Sequence, residues 1–405
     1  MFVESLSAKT RVRETFLPFA LPWISDQEIN EVADTLRSGW LTTGPKTKLF
    51  ETEFAQYIGV KHAIAVNSCT AGLHLALLTS GITQGDEVIV PTITFAATAN
   101  VVVHCGAKPV LADVGDDLNI KISEIPRLIT PKTKAIIPVH FAGQPAPLTE
   151  ILAIAKKNNL IVIEDAAHAV GSSYRGKKIG TISPITVFSF YPTKNMTTSE
   201  GGMVCTNNDE IAEKIRILSL HGICLCQNGR QVSKDAWKRY TNEGSWYYEI
   251  HYPGYKYNMT DIQAAIGLCQ LAKLDQFLAL RRRYADLYTD ALRFIPEISL
   301  PPVDPDSLHS WHLYVILLNL EKLTINRAQF IEALRYENIG TSVHFIPLHL
   351  HPYYQNTFGY RAGCFPNAEW LYQRIISLPL YPKMTQNDIN DTIQAIKNII
   401  KRMRK

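Results

Sequence analysis

Ile161-Val162-Ile163-Glu164-Asp165-Ala166-Ala167-His168 is the stretch that decides the fold. Three consecutive β-branched residues leave no face for water, so the run predicts a strand buried on both sides. Such strands belong to largely parallel sheets with helices on either face. Two carboxylates follow where that strand ends. Ligands in open α/β sheets bind beyond the carboxyl ends of the strands, and a charge buried there needs a partner. Asp165 is therefore expected to face a cation or a protonated ring nitrogen, with a structural ion pair as the alternative.

Outward from this strand the same texture repeats. Short apolar runs at 63–66, 87–90, 109–112, 135–139, 186–190 and 202–205 alternate with amphipathic segments such as 148–157, which supply crossover helices. Upstream, Ser25-Asp26-Gln27-Glu28 is a capping box opening a helix, with Ile29, Val32 and Leu36 on one face. Beyond about residue 272 the pattern changes to a long helix through 281–292, a Pro301-Pro302 joint and a strand at 311–317. A last helix follows, started by Thr385 and Asp388, with Ile389, Ile393, Ile396, Ile400 and Met403 at helical spacing. The expectation is a large α/β domain over 1–272, including the N-terminal helical segment, and a small α+β domain over 273–405.

Two further strand ends carry chemistry-bearing residues. The run at 63–66 enters Asn67-Ser68-Cys69-Thr70-Ala71-Gly72 and then a helical segment. A tight turn into a helix N-terminus presents free amides to a phosphate, although Ser68 would serve equally as a simple N-cap. The run Val187-Phe188-Ser189-Phe190-Tyr191-Pro192-Thr193 ends on Lys194, and Ser199-Glu200-Gly201-Gly202 leads into the next strand. A lysine in an apolar sheet-end setting loses its proton readily and attacks carbonyls.

Composition removes other classes. With 41 basic and 37 acidic residues the net charge is +4, too weak for a nucleic-acid or anionic-membrane surface. The basic tail, Lys401-Arg402 and Arg404-Lys405, reads as a solvated helix end. Seven cysteines without a C-x-x-C pair give no zinc or disulfide framework and fit a reducing compartment. Neither a signal-peptide core nor a membrane-span-length apolar run is present, so a cytoplasmic location is expected.

A phosphate cup, a carboxylate for a pyridinium nitrogen and a Schiff-base lysine are the parts that pyridoxal 5'-phosphate requires. The motifs 67–74, 164–169 and Phe188-Ser189-Phe190…Lys194…Glu200-Gly201-Gly202 occur in that order. With them, the chain resembles the fold-type I aminotransferases acting on nucleotide-linked keto sugars, the DegT/StrS family, over nearly its whole length. The resemblance implies Lys194 as cofactor lysine and proton shuttle, Asp165 on the pyridine nitrogen, and His168 near the ring oxygen or ring face. It implies Thr70, Ala71 and Ser189 on the phosphate, Phe95 stacked on the ring, and Asn258 reaching the neighbouring subunit's cofactor phosphate, hence a homodimer. It also places 343–353 beside the sugar-nucleotide pocket, making His344, His349 and Tyr353 candidate substrate contacts. The three histidines at 344, 349 and 351 lack acidic or cysteine partners at ligand spacing, so no metal is expected.

The implied reaction passes an amino group from an amino acid, glutamate, to a keto sugar. The runs 68–72, 138–143 and 253–258 look most like relatives that aminate C4 of UDP-linked sugars for cell-envelope glycans, with dTDP- or GDP-linked acceptors as alternatives. Some members remove a sugar hydroxyl instead and carry histidine at the lysine position; Lys194 argues against that. A nicotinamide-dependent oxidoreductase lacks its G-x-G-x-x-G here. A non-catalytic cofactor-binding sensor stays open on residue content. The polar-aromatic segment 224–252 reads either as a lid or, with Trp237, Trp246, Tyr247 and Tyr248, as packing.

Overall fold

The computed structural model describes residues 11–227, 230–233 and 248–405; Trp237, Trp246, Tyr247 and most of the segment considered as a lid lie outside them. Seven strands form the central sheet: β1 (His62–Val66), β2 (Glu87–Pro91), β3 (Lys108–Ala112), β4 (Thr133–Ile136), β5 (Ile161–Asp165), β6 (Ile185–Ser189) and β7 (Gly202–Thr206). Their spatial order is β1-β7-β6-β5-β4-β2-β3. From β6 to β3 every pairing is parallel, whereas β7 runs antiparallel to both β6 and β1. The sheet is thus largely parallel, as the doubly buried strands predict, and every apolar run read from the sequence became one of its strands.

Helices cover both faces. On one, α3 (Cys69–Thr79) packs onto the strands of Val187 and Val204, and α4 (Ala97–His104) lies beside it over β2 and β3, with Leu73, Leu77, Val101 and Val102 in one buried cluster. A Cβ on Gly72 would lie 2.6 Å from Val187 and 3.0 Å from Val204, so glycine lets α3 sit directly on the strands. On the other face, α2 (Pro45–Ile58) and α7 (Asp261–Leu292) enclose Phe50, Phe54, Phe188 and Phe190. Asp261 at the start of α7 accepts from the amides of Gly44, Lys46 and Thr47, at 2.8, 3.0 and 2.9 Å, which ties α2 to α7 through otherwise unpaired N-terminal donors. On the first face α6 (Asp209–Ser219) packs beside α3, and α5 (Leu148–Lys157) lies against β5 through Ile151 and Ala155.

The C-terminal part is a three-stranded antiparallel sheet, Ile298–Ser299, Tyr314–Leu318 and Ile375–Leu378, backed by α8 (Arg327–Tyr336) and α9 (Gln386–Met403). Ile389, Ile393, Ile396 and Ile400 are buried on the inner face of α9. The division expected at 272/273 falls inside α7, whose later turns reach this second core, and Leu17 from the N-terminal segment bridges to Ile339 within it.

The apolar face of the first helix turns outward. The capping box forms and α1 spans Asp26–Ser38, yet Ile29 and Leu36 are 58% and 54% exposed while Glu28 and Thr35 are buried. The cause is polar: Gln270 on α7 donates to Glu28 at 2.6 Å and Lys273 pairs with the same oxygen, turning the apolar stripe outward. No helix of the described residues is long and apolar enough to cross a membrane.

Candidate active site

Alternation along β5 separates its two terminal carboxylates. Glu164 is wholly buried, 2.6 Å from His140 Nε2, and accepts from the Ser183 amide at 3.0 Å and the Thr186 hydroxyl at 3.1 Å. Glu164 is thus fully engaged by neighbouring protein groups. Asp165 turns the other way. Its Oδ2 accepts from Thr98 at 2.7 Å and its Oδ1 from the Ala167 amide at 3.1 Å, with no salt bridge among the described residues. Burial raises its pKa, and the Thr98 and Ala167 bonds and the Lys194 charge offset only part of that rise.

Lys194 stands one turn beyond β6, its amide bonded to Tyr191 O at 2.9 Å. Its amine makes no hydrogen bond or ion pair among the described residues. Desolvation pulls it down to about 8, against the opposing influence of Cys69 and Asp165. A lysine in this state is a competent nucleophile near neutrality. His168 and His344 both feel the Lys194 charge. Burial holds His168 well below its usual value and takes His344 to about 4, so both rings are neutral. The Ala142 amide donates to His168 Nδ1 at 3.3 Å, which leaves the proton of the neutral ring on Nε2.

At the phosphate cup, Ser68 is the N-cap of α3: its hydroxyl accepts from Ala71 N at 3.1 Å. The two readings of Ser68 are compatible, because the cap occupies the Ala71 amide and leaves those of Cys69 and Thr70 without an intrahelical acceptor. The amide supply therefore shifts from Ala71 to Cys69 and Thr70. A Cβ on Gly202 would come within 2.7 Å of Cys69 N, so glycine admits this turn against β7. Ser189 is buried at the end of β6, its hydroxyl 3.4 Å from Tyr191 N.

Phe95 is 63% exposed, with its ring centroid 6.0 Å from Phe345, which lies 6.0 Å from His168. An aromatic ring left bare, with Phe345 between it and the neutral His168 imidazole, suits a planar ligand. Asn258 bridges to Val66 at the end of β1, and its side chain is held by Thr43 at 2.7 Å and Lys256 at 2.5 Å rather than by the Lys194 cluster.

His344, with Nδ1 2.8 Å from Ser377, belongs to the site. His349 does not show the features of a substrate contact: it is fully buried with Nδ1 2.8 Å from Thr92 and Nε2 3.0 Å from Glu369, so both nitrogens are taken. Tyr353 is half exposed and packs edge-on against Tyr354 and Phe358.

Sequence reasoning missed Thr98, which orients Asp165 and is itself 2.7 Å from Thr94, and His312, whose ring lies 4.3 Å from that of His168. Thr94 and Thr98 at i,i+4 were a visible spacing; His312 carried no local signal.

The arrangement fits pyridoxal phosphate: unpaired amides at a helix start, a bare aromatic, a buried carboxylate without a cation partner and an orphaned, deprotonatable amine. The comparisons agree. The model of the DegT/DnrJ/EryC1/StrS aminotransferase family matches residues 22–397. The protein MJ1066 of Methanocaldococcus jannaschii is 57% identical over 390 residues, 96% of this chain and 99% of that one. The spore coat polysaccharide biosynthesis protein SpsC of Bacillus subtilis is 51% identical over 391 residues, 96% of this chain and 98% of that one. Among solved structures, Spr1654 of Streptococcus pneumoniae, named as a sugar aminotransferase, is similar in its PMP-form at 33% identity and TM-score 0.87, covering 96% of this chain and 98% of that one. Its PLP-form gives the same TM-score.

Proposed function

Because this chain belongs to the DegT/DnrJ/EryC1/StrS aminotransferase family, pyridoxal-phosphate-dependent enzymes of sugar biosynthesis, we propose that it transfers an amino group from L-glutamate to C4 of a UDP-linked keto sugar for a cell-envelope glycan. The observation that carries the reading is the Lys194 amine, without a hydrogen bond or ion pair among the described residues, within electrostatic reach of the buried Asp165. The glycan destination is supported by the likeness to SpsC, and the UDP-linked C4 acceptor by the runs 68–72, 138–143 and 253–258.

When bound, pyridoxal phosphate supplies an aldehyde that condenses with amines and a protonated ring that draws electrons from the breaking bond. The chain's part is to hold and to move protons. Asp165, oriented by Thr98 and the Ala167 amide, would keep a proton on the ring nitrogen. The Cys69 and Thr70 amides, the Thr70 hydroxyl and Ser189 would take the phosphate. Phe95 would cover one ring face, and His168 would donate from Nε2. Lys194 Nζ, once displaced by the donor's amine, would take the proton from the donor's α-carbon and later deliver one to the sugar carbon.

A homodimer follows the same reading, with Asn258 serving the partner's phosphate. What supports it is the outward apolar surface of α1 and its loop, where Ile29, Leu36, Trp40 and Leu41 are 58%, 54%, 51% and 43% exposed. Trp40 and Asn258 line one groove, so this surface and the residue expected to act across the interface are contiguous.

Incubation with glutamate and UDP-, dTDP- or GDP-linked keto sugars, read by mass spectrometry, tests the proposal. The UDP-linked 4-keto sugar is expected to give the amino sugar fastest, and Lys194→Ala none. Turnover by Lys194→Ala would overturn the catalytic reading; preference for dTDP or GDP would overturn the acceptor.

A further inference from the structure

The residues 309–312, joining α7's neighbourhood to the strand Tyr314–Leu318, touch three separate parts of the site. Ser310 Oγ donates to His168 O at 3.0 Å, and Ser310 N donates to Gly143 O at 3.1 Å. Asn195, next to Lys194, donates through Nδ2 to Ser310 O at 3.0 Å. One residue of the C-terminal part thus holds the backbone of His168, the loop that carries the Ala142 amide, and the neighbour of Lys194.

Two observations show that this contact is tight and built. Gly143 has φ +99°, and a Cβ there would stand 2.3 Å from Ser310 Oγ, 2.9 Å from His168 O and 3.1 Å from His312 N, so three segments meet where no side chain fits. From the other side Arg281, 2% exposed, donates through Nη1 to Trp311 O, His312 O and Leu380 O at 3.1, 3.2 and 2.9 Å. No carboxylate pairs with it among the described residues. Burying a guanidinium against carbonyls alone is costly, and it holds Trp311 at φ 50°, a left-handed conformation that a bulky residue adopts only under constraint.

The same place carries three buried polar atoms without partners among the described residues: Arg281 Nε, Asn195 Oδ1 and His312 Nδ1. A turn selected only for stability would satisfy or remove them. Unsatisfied groups and left-handed strain concentrate where geometry serves function.

We infer that the Ser310–His312 turn, clamped by Arg281, is the positioning element that sets Lys194 and His168 relative to each other and so transmits the placement of the C-terminal part to the site. The inference rests on the proposed roles of Lys194 and His168. Ser310 and Arg281 touch neither reacting atoms nor cofactor; they act through Asn195 and through the His168 backbone.

The test uses Ser310→Ala and Arg281→Lys, with Gly143→Ala as a steric probe. Tyr288→Phe, which removes a 3.0 Å bond to Pro379 O in the C-terminal core, is the stability control. Two readouts are taken: the rate of the glutamate half-reaction by absorbance, and the pH midpoint of Lys194 acylation in cofactor-free protein by mass spectrometry. Ser310→Ala is expected to slow the half-reaction about tenfold, within the range that small misplacements produce. It should also move the acylation midpoint from about 8 towards the ordinary lysine value of 10.5 as water reaches the amine. Arg281→Lys should shift both in the same direction by less, and Tyr288→Phe should lower the melting temperature while leaving both unchanged. The inference is overturned if Ser310→Ala and Arg281→Lys keep the parent's rate and midpoint, or if Tyr288→Phe moves the midpoint as far as Ser310→Ala does. Lys194→Ala distinguishes the underlying reading: a surviving half-reaction there removes the catalytic assignment itself, whatever the Ser310 variant does.

Discussion

Glu164 and Asp165 follow one another at the end of β5, and the pleat sends them into different surroundings. Glu164 meets His140, Ser183 and Thr186 in a closed set of short bonds. Asp165 meets one hydroxyl and one amide, and feels the charge of the Lys194 amine, which has no hydrogen bond among the described residues. The difference teaches that burial alone does not mark a functional carboxylate; incomplete satisfaction does. Exchanging each for its amide breaks or upholds this distinction. Asp165→Asn is expected to lower kcat by roughly a hundredfold or more, with the fold kept, because the isosteric amide cannot hold a proton on a ring nitrogen. Glu164→Gln is expected to keep kcat within about threefold and to lower stability by about 1–3 kcal/mol, as a buried charged hydrogen bond is exchanged for a neutral one. Steady-state kinetics and denaturant unfolding of the two variants decide the matter. A Glu164→Gln enzyme as damaged in kcat as Asp165→Asn would dissolve the contrast.

Thr98 sharpens the comparison by one step. Its hydroxyl bridges Thr94 and Asp165 Oδ2, each at 2.7 Å, and this bond favours the ionised carboxylate against the burial that disfavours it. Thr98→Val keeps the shape, removes the donor, and pushes the Asp165 pKa further up. A bond to a charged group contributes about 1.5–3 kcal/mol, so a loss of about tenfold in kcat is expected, with the acidic limb of its pH profile displaced upward. An unchanged acidic limb would show that Thr98 merely fills space.

The fold was legible because strands buried on both faces write themselves as apolar runs, and all seven strands of the sheet do so here. Lys194 and Asp165 were legible for a related reason: polar residues directly after such runs stand at strand ends. Thr98 was not, since its role depends on where the start of α4 lands against β5, 67 residues away in sequence. Ser310, Asn195 and Arg281 meet only through tertiary closure, and nothing periodic connects them. His349 was placed beside the pocket by resemblance alone, and its two bonds to Thr92 and Glu369 are invisible locally. On α1 the shared face of Ile29 and Leu36 was legible, but not that it turns outward while Glu28 is held against α7 by Gln270 and Lys273.

Glu28 supplies the smallest test, because it is a buried carboxylate with the opposite electrostatic outcome to Asp165. Burial alone would raise its pKa, but bonds from Lys273, Ser25 and Gln270 bring it down to about 2 from an ordinary 4.5. A carboxylate whose folded pKa is depressed adds stability that is fully present above its unfolded value and disappears as pH falls through its folded value. Glu28 should therefore stabilise the α1–α7 contact above about pH 4.5 and lose that contribution between about 4.5 and 2. Its size is on the order of 1–3 kcal/mol, reduced by screening where Lys273 approaches solvent. Glu28→Gln should flatten the acid limb of a stability-against-pH curve over that window while leaving kcat at neutral pH unchanged. An acid limb as steep in Glu28→Gln as in the parent would place the acid sensitivity on other carboxylates.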